Sequence, residues 1–119
     1  MKIPGTDHPI AIAPVQGRVV VRFQGETVAD TVHALELKEA SYPAVLYIPR
    51  ADARLATHFA RSSHRTECPY KGTASYFALV AGGARAGNAV WSYETPHAAV
   101  TAIAGHLAFY PDRVTIERA

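Results

Sequence analysis

The sequence predicts a mainly β protein: a compact single domain of about eight short, mostly antiparallel strands, barrel- or tent-like, with one or two short helices. Three observations carry this reading. Short β-branched and aromatic runs recur along the chain, steps rich in glycine or proline separate them, and no helical periodicity persists for long.

Arg18 to Gln24 reads R-V-V-V-R-F-Q, Gly25-Glu26 makes a turn, and Thr27 to Asp30 continues as the return strand of a hairpin. Ala34 to Glu39 alternates, with Leu35 and Leu37 on one face and Glu36 and Lys38 on the other, the period of a half-buried strand. Val45 to Ile48 is a short apolar strand stopped by Pro49, which cannot donate to a ladder. Leu55 and Phe59 stand four apart behind Asp52, so Ala51 to Phe59 predicts one or two helical turns with Asp52 as the cap. Ala74 to Ala81 and Ala84 to Tyr93 form a second hairpin about Gly82-Gly83. His97 to Ile103, with Pro96 before and Gly105 after, predicts a second helix, and His106 to Tyr110 with Arg113 to Glu117 a closing strand pair.

At 119 residues the chain fits one domain, 1–119, with residues 1–17 an N-terminal arm packed on the β core. Hydrophobic residues at 49% and charged residues at 18% are the proportions of a globular protein, not of a disordered or membrane-embedded one. No apolar run approaches the roughly 20 residues that span a bilayer, and the N-terminus lacks the apolar stretch of a signal peptide. One cysteine cannot form an intrachain disulfide, which suits a reducing compartment, so the expected location is cytoplasmic.

Charge is unevenly spread. Arg50, Arg54, Arg61, Arg65 and Lys71 face only Asp52 and Glu67 within one segment, a local excess greater than the whole chain's formal +2. Such a field solubilises a loop or draws in an anionic ligand. Nucleic acid is disfavoured, because these basic residues are not interleaved with a recognition helix or an aromatic ribonucleoprotein motif.

The same segment ends in the densest chemistry of the chain, H-R-T-E-C-P-Y-K-G from His64 to Gly72. Pro69 biases Cys68 toward an extended conformation, and i, i+2 spacing then projects His64, Thr66 and Cys68 to one side. A thiol near His64, Arg65 and Lys71 is a candidate nucleophile with His64 as its base; the competing reading makes Cys68 a small buried core residue. Lys71 beside Gly72 is a cation delivered from a turn, and Arg50 can grip a carboxylate or phosphate with two parallel hydrogen bonds. Tyr70, Tyr76 and Trp91 are candidate pocket walls, Trp91 sharing a strand face with Tyr93, although aromatics so placed also serve as plain core. One cysteine and six scattered histidines, without C-x-x-C or helical H-x-x-x-H spacing, give no metal site. No cofactor is identifiable.

Several separated motifs occur in order: H-P-I at His8 to Ile10, G-E-T-V-A-D at Gly25 to Asp30, Y-I-P-R-A-D at Tyr47 to Asp52, T-E-C-P-Y-K-G-T-A-S-Y at Thr66 to Tyr76, N-A-V-W-S-Y at Asn88 to Tyr93 and I-A-G-H-L-A-F-Y at Ile103 to Tyr110. In these the chain resembles the small bacterial and fungal family known as domain of unknown function 427, sometimes labelled nucleotidyltransferase-like. The resemblance implies a stand-alone, mostly β domain. The residues do not support the label: nucleotidyl transfer needs carboxylates converging on Mg²⁺, whereas the four aspartates and six glutamates are isolated in sequence, and Lys71-Gly72-Thr73 lacks the preceding glycine of a phosphate loop.

Three functions fit the residues. The first is a small anionic ligand bound between the Pro49–Asp52 loop and the His64–Gly72 motif by Arg50, Tyr70, Lys71, Gly72, Tyr76 and Trp91. The second is a thiol-dependent enzyme using Cys68 and His64. The third is a non-catalytic module that docks a partner protein by an exposed strand edge or its basic segment. Separately from these, a homodimer is compatible with the sequence. The first demands least, since it requires only that the polar cluster converge.

Overall fold

A computed structural model describes residues 1–119. Ten strands build three antiparallel sheets: β1 (Ile10–Pro14), β4 (Leu35–Glu39) and β5 (Val45–Tyr47) in the order β1-β4-β5; β2 (Val19–Phe23), β3 (Glu26–Thr31) and β10 (Thr115–Arg118) in the order β10-β2-β3; and β6 (Phe59–Cys68), β7 (Gly72–Ala81), β8 (Ala84–Ser92) and β9 (Ala108–Phe109) in sequential order. Helix is confined to one α-helical turn, α1 (Leu55–His58), and 3-10 turns at Arg50–Asp52 and Ala98–Ile103. The fold is mainly β, as expected, with ten strands where about eight were read.

The two glycine hairpins form for the predicted reason. Gln24-Gly25 and Gly82-Gly83 all take positive φ, the geometry that lets a two-residue loop follow the strand twist, so the first turn sits one residue earlier than read. Elsewhere distant pairing decides. Ile10–Pro14, read as part of an arm, is a strand held by β4. His64 to Cys68 lies inside the ten-residue β6, and the bend is only Pro69-Tyr70-Lys71. The two closing segments do not pair with each other: β9 joins β8 while β10 joins β2. Asp52 caps nothing; it accepts a hydrogen bond from the buried Thr31 hydroxyl at 2.7 Å.

Strand β7 is buried on both faces and separates two hydrophobic clusters. Phe77, Leu79 and Ala81 enter the larger cluster, with Val90 and Phe109 from the neighbouring strands. Ala74 and Tyr76 enter the smaller one, with Trp91, Tyr93 and Ala108 on the same face. The two-residue period of a strand makes this division. Two bulges bend the sheet: Ser62 to His64 occupy the span opposite Tyr76, and Gly87 to Ala89, with Asn88 at φ 52°, the span opposite Ala78. The sheet β1-β4-β5 covers the smaller cluster with Leu35, Leu37, Val45 and Tyr47.

Candidate functional site

Between those two layers lies a cavity of about 220 Å³. Leu37 and Glu39 of β4, Val45 and Tyr47 of β5, Tyr76 of β7, Trp91 of β8 and Tyr93 just beyond it line it, with Lys71 from the β6–β7 turn and Tyr110 beyond β9. Ala108 lies directly across from Trp91, and Ala74 shares the Tyr76 face.

Lys71 is only 8% exposed, and its ammonium donates to Glu39 Oε1, its one hydrogen bond in the chain. The other carboxylate oxygen of Glu39 lies 2.8 Å from His8 Nε2. Burial pushes the Glu39 pKa up, but the hydrogen bonds from Lys71 and His8 outweigh it and hold the carboxyl below its ordinary range. The histidine ring stacks flat on Tyr70, with centroids 3.8 Å apart and planes 5° from parallel. The backbone N–H of Lys2 donates to Pro69 O at 2.8 Å, so the N-terminal segment clasps the turn that presents Lys71. Gly72, at φ 113°, occupies a conformation that side chains rarely adopt, and this closes the hairpin so that Lys71 points inward.

The phenols complete the site. Trp91 Nε1 donates to Tyr47 Oη at 3.3 Å, leaving the Tyr47 proton free to donate. Tyr93 lines the cavity, and its hydroxyl, bonded to no other group of the chain, is solvent-accessible there. Burial pushes Tyr47 up to about 12 and Tyr93 higher still, so both stay neutral donors through the physiological range. Burial and the adjacent Tyr76 phenol raise Tyr110 to about 12, and Tyr76 shares a hydrogen bond with Thr66 Oγ1 at 2.9 Å. The cavity is thus rich in donors, and its one carboxylate is already occupied by two partners.

Of the residues singled out by sequence, Lys71, Tyr76 and Trp91 line this cavity, while Gly72 and Tyr70 shape the turn beside it. Arg50 does not reach it. Its guanidinium bonds Gly105 O at 3.0 Å and Ser92 Oγ at 3.1 Å, pairs with Glu94 at 3.3 Å and lies over the Phe77 ring. Ser92 and Phe77 face away from Trp91 and Tyr76, so Arg50 and Lys71 stand on opposite sides of the four-stranded sheet. Glu94 also takes a two-pronged contact from Arg61 at 3.1 and 3.2 Å and a bond from Ser75, which together hold its carboxyl near a pKa of about 2. Much of the basic segment's charge is therefore neutralised from outside the segment.

Cys68 is half-buried against the smaller cluster. Exposed His64 packs its ring on Tyr76, with centroids 4.6 Å apart, and no hydrogen bond joins it to Cys68. No group of three or more His, Cys, Asp or Glu is gathered as a metal would need. No helix is long and apolar enough to cross a membrane.

Sequence reasoning missed Glu39, although the signal was present. Position 39 continues the 35, 37 series, so its carboxylate points to the apolar face, where a charge requires a partner. Tyr47, inside the apolar run Val45 to Ile48, and Tyr110, at the end of another, carried no comparable signal.

The family model of a domain of unknown function, DUF427, matches residues 11–119. The chain belongs to this family. No curated protein matches the chain. The DUF427 match begins after His8, so the histidine that holds Glu39 stands outside the matched span while Lys71 and every cavity-lining residue lie within it.

Proposed function

We propose that this DUF427 protein binds a small, acceptor-rich, anionic ligand in the cavity between the β1-β4-β5 sheet and the four-stranded sheet. Lys71 and the Tyr47 and Tyr93 hydroxyls serve as its donors, and Arg50 takes no part. The observation that carries the reading is the imbalance of the site. An ammonium with a single protein acceptor and two neutral phenols with unused protons face a cavity whose only carboxylate is already bonded twice. These donors face a solvent-accessible cavity with hydrogen-bonding capacity to spare, and an acceptor group on a ligand uses it. A bacterial, cytoplasmic setting is part of this reading; the single free thiol of Cys68 supports a reducing compartment.

Thermal shift with phosphate, acetate and benzoate, run in parallel on wild type and on Lys71→Met, tests it. A ligand at a hundredfold excess over its Kd stabilises by about 2.7 kcal/mol, a rise of several degrees for a domain of this size. The reading fails if no anion raises the Tm of the wild type, or if Lys71→Met responds equally.

A further inference from the structure

The polar cavity does not end at Trp91. On the outer side of that ring an apolar groove of about 470 Å³ runs along β5, walled by Leu46, Phe109, Pro111 and Ile116, and it shares Tyr42, Pro43, Val45 and Trp91 with the inner cavity. The groove floor carries no charge; its charged residues, Glu36 and Arg118, pair with each other at 3.6 Å. The inner chamber is donor-rich and small, whereas the outer one is apolar and about twice its volume. A free anion fills only the first.

We infer that the ligand is an amphiphilic carboxylate, with its head on Lys71 and the Tyr47 and Tyr93 hydroxyls and an unbranched or aryl apolar body passing Trp91 to lie on Leu46, Phe109 and Ile116. This rests on the anion-binding reading above and adds the apolar body. The continuity of the two chambers through Trp91 and Val45 argues for one occupant with two chemistries, in preference to a separate partner on the groove. A tail leaving the inner chamber passes the Trp91 edge, and the adjoining groove removes it from water.

Trp91 is the only tryptophan, so its fluorescence reports occupancy directly. Titration of the full chain with butanoate, hexanoate and octanoate, all kept below micelle formation, is expected to show affinity rising about fourfold per added methylene. The same series on Ile116→Ser and Leu46→Ser is expected to lose much of that slope while butanoate still binds, which also shows that the variants remain folded. Affinity that stays flat from butanoate to octanoate overturns the apolar body and leaves the anion site standing. If 1-octanol binds as tightly as octanoate, the carboxylate head on Lys71 is overturned instead. Sedimentation showing a dimer that Ile116→Ser dissociates assigns the groove to a second copy of the chain and also overturns the inference.

Discussion

Lys71 and Glu39, brought together from a hairpin turn and the end of a strand in a different sheet, form an ion pair at the inner wall of the cavity with 10% and 14% of their side chains exposed. Removing one partner strands a poorly solvated charge, whereas removing both does not. Lys71→Met and Glu39→Leu are each expected to destabilise by on the order of 3 kcal/mol, and the double variant by clearly less than the two together. Urea denaturation of the four proteins measures the coupling; additive losses would show that the pair carries none.

His8 bonds the outer oxygen of Glu39 and stacks on Tyr70. With His8→Ala, the Glu39 carboxyl loses one of the two bonds that hold its pKa down, so its titration is expected to move up. Carboxyl NMR of Glu39 follows this directly. An unchanged midpoint would mean that Lys71 alone sets it.

Glu94 has a folded pKa of about 2 against an ordinary 4.5, lowered first by the Arg61 hydrogen bonds and then by Ser75 and Arg50. A depressed carboxyl stabilises the fold fully above its unfolded pKa and loses that contribution as the pH falls toward the folded value. Tm is therefore expected to fall between about pH 4.5 and 2 in wild type, and less steeply in Glu94→Gln. Parallel acid limbs would rule out this source. Because Glu94 is partly exposed, with 38% of its side chain open, added salt should flatten the limb.

Gly72→Ala has room for its methyl group, whose nearest neighbour is His97 Cδ2 at 3.5 Å, but it must hold φ at 113°. The expected cost is about 1–3 kcal/mol, paid in backbone strain, not in a clash. If the variant instead shifts the turn, anion binding through Lys71 weakens while stability falls little. Denaturation and anion titration together separate the two outcomes.

The hairpins were legible in the sequence because their determinants are adjacent: glycines at Gly25, Gly82 and Gly83 between β-branched runs. Strand β6 was not, because most of it is polar, none of it is fully buried and it is held at one edge by β7, so Phe59 to Ser63 carries no apolar alternation. Lys71 was visible from the company it keeps in its motif. Its partner was not, since nothing local links position 71 to position 39, although the inward parity of Glu39 was readable. Arg50 was misplaced for a converse reason: its guanidinium is occupied by Gly105 O, Ser92 Oγ and an ion pair with the chain's own Glu94, and the two-pronged grip on that carboxylate belongs to Arg61.

The alternation along β7 and β8 has a consequence for tinkering with this protein. One side of the partition holds the Arg50–Arg61–Glu94 charges, and the other holds Lys71 among the tyrosines. A slip of one residue would exchange the two compartments, turning Ser75 and Phe77 toward the cavity and Tyr76 away from it. The irregular stretches at Ser62–His64 and Gly87–Ala89, which lock the register, therefore act as insulation between two wiring systems: alterations on one side should leave the other's titration and binding untouched.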